Sequence, residues 1–274
     1  MPGLGRLTAV GELACRAWFS LCRTLGWLLR SGRYSTTRVV SRDDAPHVRK
    51  QRAPYAPALL RAGAGLVRVL DTGVHVLPQP LWEERERALY RSLRGTAVAS
   101  DPGGTLLLPC LSGVTLAALL EDPSTDDASR RRAIELAVAA LARFHAQGFT
   151  HGDAMAENVM IDLEAGEAHW FDFETVHDPH RSMRWRRADD VRALLATCLL
   201  RTVHEELPQT LGMILDEYGD EEVTRALVPS FRSVLQRPLA FHLGQAGLSY
   251  EYFRIIAGLL QARLSQASAQ AEVS

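Results

Sequence analysis

One stretch of the sequence, residues 150–174, constrains the fold more than any other. It reads THGDAMAENVMIDLEAGEAHWFDFE, with polar residues at fixed points of a strand–turn–strand pattern. Two apolar segments alternate as short strands do, and residues 164–167 between them have the composition of a turn. We therefore predict a hairpin with Asn158 at its start and Asp172 at its end, preceded by a loop that carries Asp153.

The side chains of this stretch suit the transfer of a phosphoryl group to a hydroxyl. Such a reaction needs a carboxylate that orients the acceptor hydroxyl and takes its proton, which Asp153 could supply. It also needs Mg²⁺, which prefers oxygen ligands, and Asn158 and Asp172 offer an amide oxygen and a carboxylate. We expect His151 to orient the loop by a hydrogen bond to the backbone near Asp172.

These residues resemble the catalytic and metal-binding segments of the protein-kinase-like superfamily. Within that superfamily, the motif sequence is most similar to those of lipopolysaccharide-core kinases and of small-molecule phosphotransferases of the aminoglycoside type. The resemblance covers roughly residues 47–205. It implies an α+β, two-lobe protein-kinase-like fold, with a small sheet-containing N-lobe and a larger, mainly helical C-lobe. It also implies ATP and Mg²⁺ as cofactors and an active site between the lobes.

Three residues depart from the usual pattern of protein kinases. Gly152 replaces the arginine of His-Arg-Asp, and Glu174 replaces the glycine of Asp-Phe-Gly. Met155 stands where kinases that phosphorylate Ser or Thr usually keep a lysine. A glycine-rich phosphate loop upstream is also missing from the sequence. Because of Met155, we expect the acceptor to be a sugar, a lipid-linked saccharide or a small molecule rather than a protein. The missing glycine-rich loop instead favours the alternative of a non-catalytic kinase-like protein.

Lys50 is the single lysine of the chain, beside thirty arginines. Arginine replaces lysine readily on a solvated surface, but less easily where a compact ammonium must fit between phosphate oxygens and a carboxylate. Val48, Lys50 and Arg52 alternate on one face of a predicted strand, the second of a hairpin that begins near Tyr34. We predict that Lys50 contacts the nucleotide phosphates; the alternative is a surface lysine retained by chance.

The predicted helix over 81–93 should supply the acid that pairs with Lys50. Glu86 lies near the apolar face of this helix and is the first candidate, and Glu84 is the second. The alternative is a solvated acidic face paired with arginines one turn away.

An apolar run at 105–108 predicts an edge strand, and residues 109–113 are typical of a hinge between lobes. In the superfamily that the sequence resembles, the backbone of this hinge meets the adenine. The resemblance therefore places the base at Leu108, Pro109 and Cys110.

The sequence pattern of the carboxy-terminal half predicts mainly helices. Ser124 begins a capping-box pattern before a long helix over 127–147. Asp190 begins a helix over 189–204 and resembles the acid that holds the catalytic loop of kinase-like folds. Further helices are predicted over 56–66, 207–217, 220–235 and 248–264, with a frayed tail over 265–274.

Two side-chain clusters leave alternatives open. Arg181, Arg184, Arg186 and Arg187 form either a solvated charge run or a patch for an anionic acceptor, such as a phosphorylated sugar or a lipid head group. The histidines of this region follow no usual zinc spacing, which disfavours a His-rich transition-metal site.

The amino-terminal residues form a separate predicted unit. Residues 7–30 are amphipathic, with a basic polar face. Three interpretations remain open: this helix docks on the N-lobe, lies on an anionic membrane surface, or is a targeting segment. We divide the chain into this amphipathic helix at 1–33, the N-lobe at 34–108 and the C-lobe at 109–274.

Composition sets the remaining limits. With 274 residues, 47% hydrophobic content and a net charge of −1, the chain is expected to be globular and soluble, with no basic field for nucleic acid. Four scattered cysteines indicate a reducing compartment, and aliphatic runs are too short to span a membrane. We expect a cytoplasmic protein, free or peripheral on the inner membrane surface through residues 7–30.

The favoured function is an ATP-dependent phosphotransferase that moves the γ-phosphoryl group to a hydroxyl of a saccharide, a lipid-linked saccharide or a small molecule. A Ser/Thr protein kinase is the alternative with the same chemistry. Two other classes remain open: a non-catalytic kinase-like binding or scaffold protein, and a membrane-surface interaction protein led by residues 7–30.

Overall fold

A computed structural model of the chain describes residues 35–42, 44–54, 56, 73–101, 104–232 and 250–271, and the four helical residues Leu13, Arg16, Ala17 and Ser20. The described part is mixed α+β. A small antiparallel sheet lies near the amino terminus, and the carboxy-terminal part is mainly helical.

The strands of the described part form three antiparallel sheets. Their bounds are β1 Ser35–Arg42, β2 Ala45–Arg52, β3 Val74–Val76, β4 Ala99–Asp101, β5 Thr105–Pro109, β6 Val114–Thr115, β7 Val159–Asp162, β8 Glu167–Trp170 and β9 Thr175–His177. The four-stranded sheet has the order β1-β2-β5-β4, the three-stranded sheet the order β6-β7-β8, and β3 pairs with β9.

The helices are numbered from the first one whose bounds are described. They are α1 Gln79–Arg94, α2 Leu116–Glu121, α3 Asp127–Ala146, α4 Met183–Leu199, α5 Leu207–Tyr218, α6 Glu221–Arg232 and α7 Tyr250–Ala271. Two 3₁₀ turns, Ala156–Asn158 and His204–Glu206, precede β7 and α5. No helix in this part of the chain combines the length and apolar character that crossing a membrane requires.

The predicted hairpin that carries Lys50 is confirmed. Strands β1 and β2 pair along their whole length, and Asp44 in the turn has a φ of 58°. Along β2, Lys50 and Arg52 are buried, whereas Arg49 and Gln51 are exposed. The alternation read from the sequence therefore turns Lys50 and Arg52 to the same inner face of the sheet.

The prediction of an edge strand at 105–108 was wrong. Strand β5 lies between β2 and β4, so it is a central strand, and its residues from Thr105 to Leu108 are all buried. A strand covered on both faces has a continuous apolar run, and such a run does not reveal how many neighbours the strand has. The edge is β4, whose three residues carry no apolar pattern.

Several helix boundaries also differ from the sequence predictions. The cap of α3 is Asp126, whose carboxylate accepts the N–H of Ser129, and not Ser124. Helix α4 begins at Met183 after the cap Ser182, six residues earlier than predicted. Its amino-terminal turns therefore contain most of the arginine cluster, which we had placed before the helix.

The carboxy-terminal end differs too. Helix α7 continues to Ala271, so most of the segment predicted as a frayed tail is helical. In the predicted hairpin, strand β8 stops at Trp170, two residues before Asp172. The predicted helix over 56–66 lies outside the described residues except for Ala56.

The core is built mainly from α3 and α4. Helix α3 buries the apolar face predicted for it, including Leu141 and Phe144. Helix α4 is buried along twelve consecutive residues, from Ala188 to Leu199. Because α4 is surrounded by protein, its charged residues are held within the interior and must find partners there.

Most of the predicted amphipathic helix over 7–30 lies outside the described residues. Arg16, which is described, places its guanidinium 2.5 Å from Glu251 and over the ring of Tyr250, both in α7. This contact joins the amino-terminal helix to the carboxy-terminal part. The three interpretations of this helix stay predictions, because most of its residues lie outside the described part of the chain.

Candidate functional site

The hairpin β7–β8 brings the two predicted metal ligands to one end. Val159 pairs with Trp170, and the carbonyl of Asn158 accepts the N–H of Phe171 at 3.0 Å. Asn158 therefore lies opposite the residue that precedes Asp172. The hairpin forms because buried residues alternate along both strands over a turn that contains Gly166, which has a φ of 68°.

Asn158 also holds the predicted catalytic carboxylate. Its amide nitrogen donates to the carbonyl of Asp153 at 2.8 Å and to a carboxylate oxygen of Asp153 at 2.9 Å. Both contacts use the amide nitrogen, so the amide oxygen remains the atom that could ligate a cation.

The loop before Asp153 is fixed by a carboxylate from α4. Asp190 accepts the N–H of His151 at 2.7 Å and the N–H of Gly152 at 2.8 Å, as we predicted for this acid. The imidazole of His145 lies 3.0 Å from the same carboxylate. Burial alone would raise the pKa of Asp190, but His177 and His145 outweigh it and lower that pKa to about 2.

His151 links the loop to the end of the hairpin. Its Nε2 lies 2.9 Å from the carbonyl of Phe171, and its Nδ1 accepts the N–H of Asp153 at 3.3 Å. The predicted hydrogen bond to the backbone beside Asp172 is therefore present. Burial lowers the pKa of His151 to about 4, so the ring is neutral at pH 7 and Nε2 carries the proton. This is a positioning role, because the ring is fully buried.

Lys50 meets two carboxylates that lie far from it in the sequence. Its ammonium is 3.2 Å from Glu86 in α1 and 2.5 Å from Asp172 after β8. Burial would lower the pKa of Lys50, but Asp172, Glu86 and Glu174 outweigh it and raise that pKa. The ammonium is therefore charged and buried, which places a compact cation beside one of the predicted metal ligands.

Glu86 is the acid that pairs with Lys50, whereas Glu84 is exposed. One oxygen of Glu86 accepts hydrogen bonds from the indole N–H of Trp82 and from the N–H of Phe173, both at 3.2 Å. It thus connects α1 to the segment that follows β8. Trp82 lies 5.1 Å from the Lys50 ammonium, so its ring adds a cation–π contact.

Sequence reasoning did not assign a role to Arg52 or Glu174, yet both join this cluster. The Arg52 guanidinium lies 4.8 Å from the Trp82 ring and 3.7 Å from the Glu174 carboxylate. Burial and the nearby Asp172 raise the pKa of Glu174 above its usual range. The sequence could have indicated the role of Arg52, because Arg52 lies on the same face of the predicted strand as Lys50.

Asp172 has an unusual backbone conformation. Its φ is 66°, a region that residues other than glycine rarely adopt. Its side chain is about 30% exposed, in contrast to Lys50 and Glu86. Strained residues of this kind gather at functional sites. Asp172 is therefore the member of the cluster that a ligand could reach.

The predicted adenine-binding residues lie at the end of the central strand. Leu108 is buried opposite Val48 in β2, and Pro109, the last residue of β5, has no N–H to donate. The N–H of Cys110 already donates to the carbonyl of Pro46 at 3.3 Å. Pro109 and Cys110 would therefore offer a base carbonyl oxygens rather than N–H groups.

Arg186 and Arg187 of the arginine cluster bond within the protein, whereas Arg184 is exposed and at most weakly paired. Arg187 donates to the carbonyl of His145, Arg186 donates to two nearby carbonyls, and Arg184 lies 3.7 Å from Glu222.

The described residues include no group of three or more His, Cys, Asp or Glu side chains that could hold a metal ion.

The arrangement as a whole combines a buried cation, a reachable carboxylate and amide at one hairpin end, and a second carboxylate on a fixed loop. No protein-family model matches the sequence, and no curated protein is significantly similar to it.

Proposed function

We propose that the chain is an ATP-dependent phosphotransferase with a two-lobe, protein-kinase-like fold, acting on a hydroxyl of a saccharide, a lipid-linked saccharide or a small molecule. The observation that carries the proposal is the convergence on Lys50. Glu86 and Asp172 are 36 and 122 residues away in the sequence, yet both lie within 3.2 Å of its ammonium. A purely structural lysine has no need of a partly exposed second carboxylate.

The donor set at the hairpin end fits a magnesium ion. Asn158 and Asp172 would supply an amide oxygen and a carboxylate, the kind of oxygen ligands that Mg²⁺ prefers. When bound, ATP and Mg²⁺ supply the transferable phosphoryl group and neutralise its charge. The role of Lys50 is then to place its ammonium against the phosphates, with Glu86 holding it in position.

Asp153 has the role of base in this proposal. Asn158 fixes its carboxylate from one side, and the N–H of Asp153 donates to the ring of His151. A carboxylate held in this way can orient the acceptor hydroxyl and accept its proton. Asp190 holds the loop by accepting the N–H groups of His151 and Gly152, so Asp153 is positioned before any substrate binds.

The acceptor is better explained as a saccharide or small molecule than as a protein. Met155 is 6% exposed and therefore offers no side chain to a bound substrate. A lysine at this position would assist transfer to a Ser or Thr hydroxyl in the kinases that the sequence resembles. The buried Met155 does not carry out that role.

Substitution of Asp153 by Asn tests the proposal. Transfer of ³²P from γ-labelled ATP is measured with glucosamine, an aminoglycoside and a deacylated lipopolysaccharide core as acceptors. We expect transfer by Asp153→Asn to fall at least about a hundredfold, because the base is lost while the shape is kept. Asp162→Asn, at the far end of the same hairpin, is the control and should transfer at the wild-type rate. Undiminished transfer by Asp153→Asn would contradict the role of Asp153.

A non-catalytic kinase-like binding or scaffold protein is the second candidate. The β1–β2 turn contains Asp44 instead of glycine, and the whole segment 35–52 has no glycine. Acidic residues in such a turn would repel phosphates. A folded protein that transfers phosphate to no acceptor of the panel, whether or not it binds ATP, would favour this candidate.

A further inference from the structure

The ammonium of Lys50 lies on the same carboxylate that we assign to the metal ion. Its Nζ is 2.5 Å from Oδ1 of Asp172, closer than the 3.2 Å that separates it from Oε1 of Glu86. A hydrogen bond between two charged groups belongs to the stronger class in proteins. A cation of the protein itself therefore already neutralises Asp172.

The surroundings of Lys50 keep the ammonium in this position. Its side chain is only 6% exposed, and the ring of Trp82 lies 5.1 Å from the ammonium. Glu86 is fully buried and holds it by the second ion pair. The other nearby carboxylate, that of Glu174, lies 3.7 Å from the Arg52 guanidinium. Lys50 is therefore charged, buried and shared between Glu86 and Asp172.

A divalent cation on Asp172 would meet the charge of Lys50 at short range. Mg²⁺ binds carboxylate oxygens at about 2.1 Å, so it would lie close to the ammonium whichever oxygen of Asp172 it used. Like charges repel strongly where water is largely excluded. The second predicted ligand, the amide oxygen of Asn158, carries no charge that could offset this repulsion.

We propose that Lys50 makes this site select a metal–nucleotide complex over a free divalent cation. This inference deepens the proposed function and rests on it. Negative charge on the phosphates of a nucleotide offsets the repulsion between the ammonium and the metal ion, whereas a free metal ion meets that repulsion in full. Lys50 is then a specificity-determining residue in addition to its contact with the phosphates.

Manganese binding in the absence of nucleotide tests this role. Mn²⁺ suits the same oxygen ligands as Mg²⁺, and electron paramagnetic resonance distinguishes free from bound Mn²⁺. The wild type should bind Mn²⁺ weakly. Lys50→Gln should bind it at least about tenfold more tightly, because the repelling charge is removed and Asp172 is released. The same substitution should weaken the binding of ATP with Mg²⁺, so the two affinities should change in opposite directions.

Three further variants identify the cause of the gain. Lys50→Gln combined with Glu86→Gln removes one charge of each sign, so a gain in this double variant comes from the release of Asp172 and not from net charge. Lys50→Gln combined with Asp172→Asn should lose the gain. Arg49→Gln is the matched control, because Arg49 is the exposed neighbour of Lys50 on β2, and it should bind Mn²⁺ as the wild type does.

The variants are designed to stay folded, which circular dichroism checks. In Lys50→Gln, Glu86 keeps hydrogen bonds from the N–H groups of Trp82 and Phe173. The double variant with Glu86→Gln leaves neither member of the buried ion pair charged, so it provides the test if the single variant does not fold.

Three results would each overturn the inference. They are Mn²⁺ binding by folded Lys50→Gln that is no tighter than in the wild type, a gain that persists after Asp172→Asn, and a gain that is absent from the charge-matched double variant. None of them affects the proposed function if the wild type binds ATP with Mg²⁺ and transfers phosphate. A folded wild type that does not bind ATP would instead remove the proposed function on which the inference rests.

Discussion

At the residue scale, the backbone conformation of Gly152 explains why a glycine occupies this position of the loop. Its φ is 85°, and a Cβ built on it would lie 3.1 Å from the carbonyl oxygen of Thr175. The sequence suggested only that an arginine had been replaced. The structure gives the reason, because a side chain at this position would be strained and would press on backbone.

Substitution of Gly152 by Ala should therefore destabilise the protein more than the same change at Gly148. Gly148 has the same φ of 85° but nothing within 4 Å of its built Cβ. Each change should cost about 1 kcal/mol for the backbone conformation, and Gly152→Ala about 1–2 kcal/mol more for the close contact. Urea unfolding measures both. Equal losses would show that the contact with Thr175 has no energetic consequence.

Glu86→Gln tests the ion pair with Lys50. The amide keeps an oxygen for the N–H groups of Trp82 and Phe173 but removes the charge. We expect the free energy of unfolding to fall by about 2 kcal/mol, less than for an isolated buried charge, because Lys50 retains Asp172.

The same variant should bind ATP with Mg²⁺ about tenfold more weakly, because Lys50 is held less firmly. Glu84→Gln is the control: Glu84 is exposed on the same helix, and its removal should change stability by less than about 0.5 kcal/mol. If Glu86→Gln were indistinguishable from Glu84→Gln in both measurements, Glu86 would not be the acid that holds Lys50.

At the scale of elements, helix α4 and the loop before β7 form one unit. Asp190 holds the loop through two N–H groups, and Thr197 accepts the N–H of Ala156 at 3.0 Å. From α1, Arg85 donates to the carbonyl of Thr150 at 2.7 Å. The loop that carries Asp153 is thus held by side chains from two helices that are distant in sequence.

The buried His151 makes stability depend on pH. Its pKa is about 4 in the folded protein and about 6.5 unfolded, so between these values the unfolded chain binds more protons. The contribution of His151 to the free energy of unfolding should fall by on the order of 3 kcal/mol as the pH drops from about 6.5 to 4. Glu174, whose pKa is raised in the folded protein, contributes a change of opposite sign over an overlapping range, so the His151 contribution is read from the difference between wild type and variant. Asp190 adds little in this window, because the unfolded aspartate protonates mainly below about pH 4; the stability that its lowered pKa of about 2 provides is lost at lower pH.

Urea unfolding at several pH values between 4 and 7 measures this slope. His151→Gln should remove the His151 contribution, because glutamine does not titrate, so the free energy of unfolding should rise less with pH in the variant than in the wild type. A variant that keeps the wild-type slope would show that other groups cause the acid sensitivity.

Prediction from sequence succeeded where a local pattern determines the outcome. The β1–β2 hairpin, the β7–β8 hairpin and α1 each have a periodicity or a turn signal of their own. It failed where the partner is distant: the run 105–108 has the same appearance at an edge or at the centre of a sheet. The three-residue strands β3, β4 and β9 are too short to show any period.

Cap positions were ambiguous for a different reason. The segment 122–127 contains several residues that can each cap a helix, and only the structure shows that Asp126 does so. The start of α4 was missed because its first turn is arginine-rich and has the appearance of a charged loop, although Ser182 is a good capping residue.

On the scale of the whole molecule, the candidate site depends on contacts that no local pattern contains. The sequence predicted that Glu86 pairs with Lys50 and that a hairpin brings Asn158 and Asp172 together, but not that Lys50 also contacts Asp172. Their joint geometry, and the involvement of Arg52 and Glu174, required the fold. The described residues also tie the amino-terminal helix to α7 through Arg16, far along the chain from the small sheet.

The central claim is that Lys50, Asn158 and Asp172 form a site for ATP with magnesium. Calorimetry of ATP binding, with Mg²⁺ and with EDTA, on the wild type and on Asp172→Ala tests it most directly, with Asp162→Asn as the control. We expect magnesium-dependent binding in the wild type and the control, and its loss in Asp172→Ala. A folded wild type that does not bind ATP, or binding that ignores both magnesium and Asp172, would contradict the account.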